Sequence, residues 1–194
     1  MNKLIAIILI LVIGPILGGV YGILHDQITY SISEEYYTKF KFIQFGLENW
    51  GLGQNIGSGK NPEIQLENPR FGVTIIGILA TWWVGLIIGV FLGLVGFIHK
   101  NGNEMFKVTL KAIMVTMGVA LITGFIGLLY GQFFLDEVPP YWFLPDHTND
   151  RKSFIAIGSM HNFSYLGGLI GLIAGVIFSI LQKRKNKRMI TQNS

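Results

Sequence analysis

The chain has 194 residues, of which 51% are hydrophobic and only 13% charged, and its mean hydropathy is +0.50. Soluble domains carry about 25% charged residues, so the composition excludes an ordinary soluble domain and points to a chain lying mostly in lipid. The chain contains no cysteine, which excludes disulfides, thiolate nucleophiles and cysteine-held metals.

A helix that crosses a bilayer needs about 20 apolar residues. Four stretches qualify: 4–24, 71–98, 108–134 and 154–181. The first two carry no charge, the third only Lys111, and the fourth only His161 as a group able to ionise. The last three exceed about 25 residues, so they tilt or project beyond the lipid. Lys3 followed by an apolar run also has the form of a signal peptide, with Val20-Tyr21-Gly22 as a weak cleavage site. The length of the run, Pro15 and the glycines favour a retained span.

Residues 25–70 form the first segment between spans. Within 28–45, Ile28, Tyr30 and Ile32 alternate with Thr29, Ser31 and Ser33, and Phe40 and Phe42 alternate with Lys39 and Lys41. This period of two predicts a β-hairpin, with Ser33-Glu34-Glu35 able to cap a short helical turn instead. Residues 46–62, rich in Gly and Asn, read as a loop, with a turn at Asn61-Pro62. A short link spans 99–107. In the second long connection, 135–153, Pro139-Pro140-Tyr141-Trp142 is expected at the membrane interface. Trp82 and Trp83 fall near mid-span and are expected to fill space beside glycines. A basic tail covers 182–194.

Charge orients the spans. Segment 24–70 holds four basic and six acidic residues, and 135–153 holds two basic and four acidic. The 99–111 region has Lys100, Lys107 and Lys111 against Glu104, and the tail has Lys183, Arg184, Lys185, Lys187 and Arg188. Both termini and the short link are therefore expected in the cytoplasm, and the two acidic segments outside. The expected architecture is an all-α membrane protein: a four-helix transmembrane bundle with a small extracytoplasmic β-hairpin insertion between the first and second helices.

Glycines recur every four residues in three spans: Gly14, Gly18 and Gly22; Gly85, Gly89 and Gly93; Gly167, Gly171 and Gly175. The third span has Gly124, Gly127 and Gly131. Lipid offers no hydrophobic drive for helices to meet, and small residues at this spacing let backbones approach and gain dispersion contact. At about 100° per residue, His25 falls about 20° from Gly14, and His161, Ser164, Gly168, Gly171 and Gly175 share an arc of about 80°. Polar groups within the spans thus lie on the small-residue faces, where they escape lipid.

The candidate polar cluster comprises His25, Asp26, Glu34, Glu35, Asp146, His147, His161 and Asn162. Imidazole with carboxylate suits a divalent metal or a general acid–base pair, and ionisable groups inside a membrane are functional candidates. Against this, the residues are far apart in sequence, and His25 and His161 would equally serve a structural hydrogen-bond network. Haem held between His25 and His161 is a weaker alternative. His99, at the other end, reads as a polar flank. No Walker loop, HExxH, GxSxG or dinucleotide fingerprint is present.

The stretches His25-Asp26-Gln27, Ser33-Glu34-Glu35-Tyr36-Tyr37-Thr38, Ala80-Thr81-Trp82-Trp83-Val84-Gly85 and His161-Asn162-Phe163-Ser164 resemble an uncharacterised group of small bacterial membrane proteins labelled as signal-peptide-containing. That group shows an H-D-Q…S-P-E-Y-F pattern followed by a W-W pair. Here Glu34 stands in place of the proline and Tyr37 in place of the phenylalanine. The resemblance covers most of the chain and implies a shared fold, location in the bacterial inner membrane and no known activity. It assigns no role to any residue.

Three functional readings follow. The first is a non-catalytic accessory or assembly component, joined to a homo-oligomer or larger complex through its glycine faces. The second is an outer-leaflet metal-binding protein or enzyme acting on a lipid or small molecule. The third, a small transporter or proton path, is disfavoured by the lack of charge near the centre of the spans. The expected partner in every case is the lipid bilayer, not nucleic acid.

Overall fold

The computed structural model describes residues 1–135, 139 and 142–192, the side chains of 189–192 excepted. Pro140 and Tyr141 of the expected interfacial stretch lie outside the described residues. The chain order is α1 (Lys3–Ile32), a π-helical turn (Tyr37–Lys41), a short α-helical turn α2 (Phe42–Gln44), a 3-10 turn (Leu47–Trp50), β1 (Gly53–Asn55), β2 (Ile64–Leu66), α3 (Pro69–Gly96), α4 (Gly102–Phe134) and α5 (Arg151–Gln192). Helices α1, α3, α4 and α5 are each long and apolar enough to cross a membrane.

Each long helix begins on a side-chain cap. Asn2, Asn68, Asn101 and Asp150 accept from the backbone N–H of Ile5, Phe71, Glu104 and Ser153, at 2.8, 3.1, 3.0 and 3.0 Å. Each cap satisfies one of the amides that a helix start leaves unpaired. Pro69 at the first position of α3 loses nothing, because its missing N–H is one of those unpaired groups.

The bundle consists of two close pairs, α1 with α3 and α4 with α5. Approach is closest at glycines. A Cβ on Gly18 would lie 2.7 Å from the Thr81 carbonyl oxygen, and one on Gly171 would lie 2.6 Å from that of Thr116. The same two threonines tie the pairs: Thr81 Oγ1 donates to the Gly18 carbonyl at 2.7 Å and Thr116 Oγ1 to the Gly171 carbonyl at 2.9 Å. Between the pairs contact is sparse, and α1 barely touches α5.

The space between the pairs is closed at both ends by separate cores. One gathers Ala6, Ile10, Leu92, Met105, Ala112 and Ile113. The other gathers Tyr30, Tyr37, Phe42, Leu47, Ile64 and Val73 with their neighbours, under the segment that joins α1 to α3.

That joining segment corrects the expected hairpin over 28–45. Residues 28–32 continue α1, and the chain then enters the π-helical turn. The alternating pattern also fits a helix: Ile28 and Ile32, four residues apart, are exposed, while Thr29 and Tyr30 turn inward. The hydroxyls of Thr29 and Ser31 donate to the carbonyls of Asp26 and Gln27 at 3.1 and 2.9 Å, so the helix satisfies them itself. The antiparallel pair lies further on, with Gly53, Gln54 and Asn55 opposite Leu66, Gln65 and Ile64, where 46–62 had been expected to be loop throughout. Gly46 and Gly51 flank the 3-10 turn at φ +64° and +71°, a left-handed conformation that suits glycine.

Two further expectations change. Trp82 and Trp83 are 44% and 47% exposed, not sealed among glycines. His99 is buried rather than flanking: its Nε2 lies 3.0 Å from Ser179 Oγ and its Nδ1 3.6 Å from Glu104 Oε1. Burial pushes the His99 imidazole below the ordinary histidine value, against the opposing pull of Glu104.

Candidate functional site

Of the eight candidate residues, the structure brings three together. His25 and Asp26 sit on α1, seven and six residues before its end, and His161 sits on α5. All three are buried. The two imidazole rings meet edge to face with centroids 4.7 Å apart. One ligand atom from each of His25, Asp26 and His161 falls within 4.8 Å of the other two.

The hydrogen bonds assign protons. His161 Nδ1 lies 2.9 Å from the Ile157 carbonyl, which only accepts, so Nδ1 carries a hydrogen. In a neutral ring, Nε2 is then a bare lone pair, and it faces Asp26 Oδ1 at 3.4 Å with no hydrogen bond. His25 Nδ1 lies 3.1 Å from the same oxygen and donates to the carboxylate. Its Nε2, 3.1 Å from Ser164 Oγ, then accepts from that hydroxyl. Asp26 Oδ2 is buried without a partner. Lone pairs facing one another in a buried place are unfavourable, and a cation between them, proton or metal, removes the conflict.

The spacing fits a metal. Ligands 2.0–2.2 Å from a tetrahedral zinc lie about 3.4 Å apart, close to the 3.1 and 3.4 Å that separate Asp26 Oδ1 from His25 Nδ1 and His161 Nε2; for His25 Nδ1 to bind, its hydrogen moves to Nε2, which then donates to Ser164 Oγ. Two histidines and one carboxylate leave a fourth position open, as catalytic zinc sites do.

The other five candidates are placed elsewhere. Glu34 Oε1 accepts from the Tyr30 hydroxyl at 2.8 Å. Glu35 pairs with Lys39 and accepts from the backbone N–H of Asn149 at 3.0 Å and of Asp150 at 2.8 Å, which fastens residues 142–150 to the π-helical turn. Burial would raise the Glu35 carboxyl, but the Asp150 amide, the Lys39 ammonium and the Asn149 amide outweigh it and hold the group below the usual carboxylate range. His147 gives its carbonyl to Lys39 at 2.8 Å, and both ring nitrogens are buried without partners. Asp146 is exposed. Asn162, also exposed, borders a second cavity of about 230 Å³ beside Tyr36, Trp142 and Phe154.

Three side chains outside the candidate set shape the site. Ser164 holds His25, and Tyr36 stacks on His161 with centroids 5.1 Å apart. Burial pushes the Tyr36 hydroxyl far above the ordinary tyrosine value, so the ring acts as a neutral wall. Lys41 is 8% exposed, and its Nζ lies 5.9, 5.3 and 5.8 Å from the ring centroids of Tyr36, Phe40 and Phe45. Burial pushes this amine below the ordinary lysine value, with Asp26 opposing. A signal for it was readable: Lys39 has Glu35 four residues before it, whereas Lys41 has Tyr37 and Phe45 at that spacing.

Below the three residues a cavity of about 280 Å³ runs between the helix pairs, and Lys41, His25, Asp26 and His161 all line it. Its lower part is apolar, with Gly14, Gly85, Ile113 and Leu172 on the walls.

No protein-family model matches the chain, and no curated protein or solved structure is similar to it.

Proposed function

We propose that this is a multi-pass membrane protein that binds a divalent transition metal through His25, Asp26 and His161 and works as a metalloprotein at the outer face of a bacterial inner membrane, with both termini in the cytoplasm. The observation that carries the reading is the bare His161 Nε2 turned toward a carboxylate that has a second, unpartnered oxygen. A neutral imidazole and a carboxylate place electron pairs there, and zinc or a similar ion accepts them. Ser164 on His25 and the Ile157 carbonyl on His161 supply the outer contacts that orient metal-binding histidines. The open fourth position gives a Lewis acid at the head of the cavity.

The glycine faces favour this reading over an assembly role. Gly14, Gly18 and Gly22 meet α3, Gly85, Gly89 and Gly93 meet α1, Gly127 and Gly131 meet α5, and Gly167, Gly171 and Gly175 meet α4. These faces are used within the chain, so they do not call for a partner.

The test is metal content of the full chain purified without chelator. The reading expects one zinc or similar ion per chain, lost in both His25→Ala and His161→Ala. A metal-free protein that does not take up added zinc overturns it.

A further inference from the structure

We propose that the cavity holds one acyl chain of an anionic phospholipid drawn from the leaflet around His25, with its phosphate headgroup between Lys41 and the His25–Asp26–His161 centre. The second headgroup contact rests on the metal reading; the apolar channel and Lys41 do not.

The channel reaches from His25 to Gly14 along α1. Eleven residues of helix rise about 16 Å, half of the roughly 30 Å hydrocarbon core, which is the depth of one leaflet. It opens sideways, because three of its lining side chains, Trp83, Tyr165 and Leu169, are also 47%, 51% and 61% exposed. In a bilayer these residues face acyl chains, so a lipid tail enters without crossing water. Gly168 lines the channel and leaves it room: a Cβ there would meet no atom within 4 Å.

The head of the channel selects charge. Among the described residues, Lys41 has no carboxylate in ion-pair contact and no hydrogen-bond acceptor; three ring faces lie against its Nζ, and the Asp26 carboxylate acts on it only across the cavity they share. A buried ammonium without a counter-ion in contact is costly, and ring faces offset only part of that cost. A phosphate oxygen supplies the missing charge. A neutral sterol or hydrocarbon leaves Lys41 unpaired, and a soluble phosphate leaves the apolar channel unused.

The experiment offers the full chain in micelles phosphatidylglycerol or phosphatidylcholine with the same acyl chains. Retained lipid is counted by native mass spectrometry, and zinc is measured on the same samples. The proposal expects one phosphatidylglycerol per chain, at least ten-fold preferred. It expects Lys41→Gln to bring the two lipids to parity, and Gly168→Leu to abolish retention of both, with zinc unchanged in Gly168→Leu. Gly118→Leu, also in open space and outside the channel, keeps the wild-type pattern. Retention that ignores both Lys41→Gln and Gly168→Leu overturns the proposal. So does Lys41-dependent binding of glycerol phosphate without any retained lipid, which assigns the amine to a soluble anion. Lipid retained as expected by a protein that takes up no zinc supports the lipid proposal and overturns the metal reading alone.

Discussion

His161 turns its Nε2 to Asp26 Oδ1 at 3.4 Å while its Nδ1 donates to the Ile157 carbonyl at 2.9 Å. The second contact determines the first. Because the backbone takes the Nδ1 hydrogen, the ring offers the carboxylate only a lone pair unless a cation lies between them.

Ser164 is the outer contact of this arrangement, and its removal separates orientation from coordination. Ser164→Ala should keep the zinc stoichiometry and lower zinc affinity about 10–100-fold, the usual effect of losing an outer contact. His161→Ala should remove binding altogether. Competition against a chromophoric chelator measures both. Equal affinity in Ser164→Ala and wild type would show that Ser164 does not orient His25.

The helix pairs should be sensitive at one glycine and tolerant at another. Gly18→Ala places a Cβ 2.7 Å from the Thr81 carbonyl oxygen, and backbone cannot yield as a flexible side chain does. The expected loss is about 1–3 kcal/mol, typical of overpacking. Gly168→Ala meets open space and should stay within about 0.5 kcal/mol of wild type. Reversible unfolding in mixed micelles gives both values.

Thr81 and Thr116 offer a smaller test. Thr81→Val and Thr116→Val keep the shape and delete the hydroxyl bonds to the Gly18 and Gly171 carbonyls. Hydrogen bonds between membrane helices average about 0.6 kcal/mol and reach about 1.7, so each variant should lose no more than that by the same unfolding measurement.

The Glu35 latch predicts a pH response away from the site. Its folded carboxyl titrates below the usual value, so its stabilising contribution is complete above the ordinary glutamate range, about pH 4.3, and fades as pH falls through the lowered folded value. The hydrogen-exchange protection of the Asn149 and Asp150 amides, taken relative to the intrinsic exchange rate at each pH, should fall on acidification and at neutral pH in Glu35→Gln. Exchange in Glu35→Gln that matches wild type would show that another contact holds the segment.

Much of this was readable from residues alone. The four long helices follow from uninterrupted apolar length, and helical phase against the glycine faces put His25 and His161 inward. The segment 28–45 was not readable, because Ile28 and Ile32 satisfy the period of a strand and of a helix alike. The strands 53–55 and 64–66 are three residues each, too short to show alternation. The Glu35 contact to Asn149 joins residues 114 apart, and no local pattern encodes such a distance. Lys41 could be seen to lack a nearby acid, but its aromatic surroundings arise only once the π-helical turn forms.

Metal binding here requires His161 Nε2 as a ligand. Nitrogen NMR of ring-labelled histidine in the full chain tests it most directly. His161 Nδ1 is expected to stay protonated while the Nε2 resonance moves from that of an unprotonated nitrogen to that of a metal-bound one on titration with one equivalent of zinc. A His161 ring protonated on both nitrogens at neutral pH and unchanged by zinc would contradict it, leaving an imidazolium–carboxylate pair in place of the metal centre.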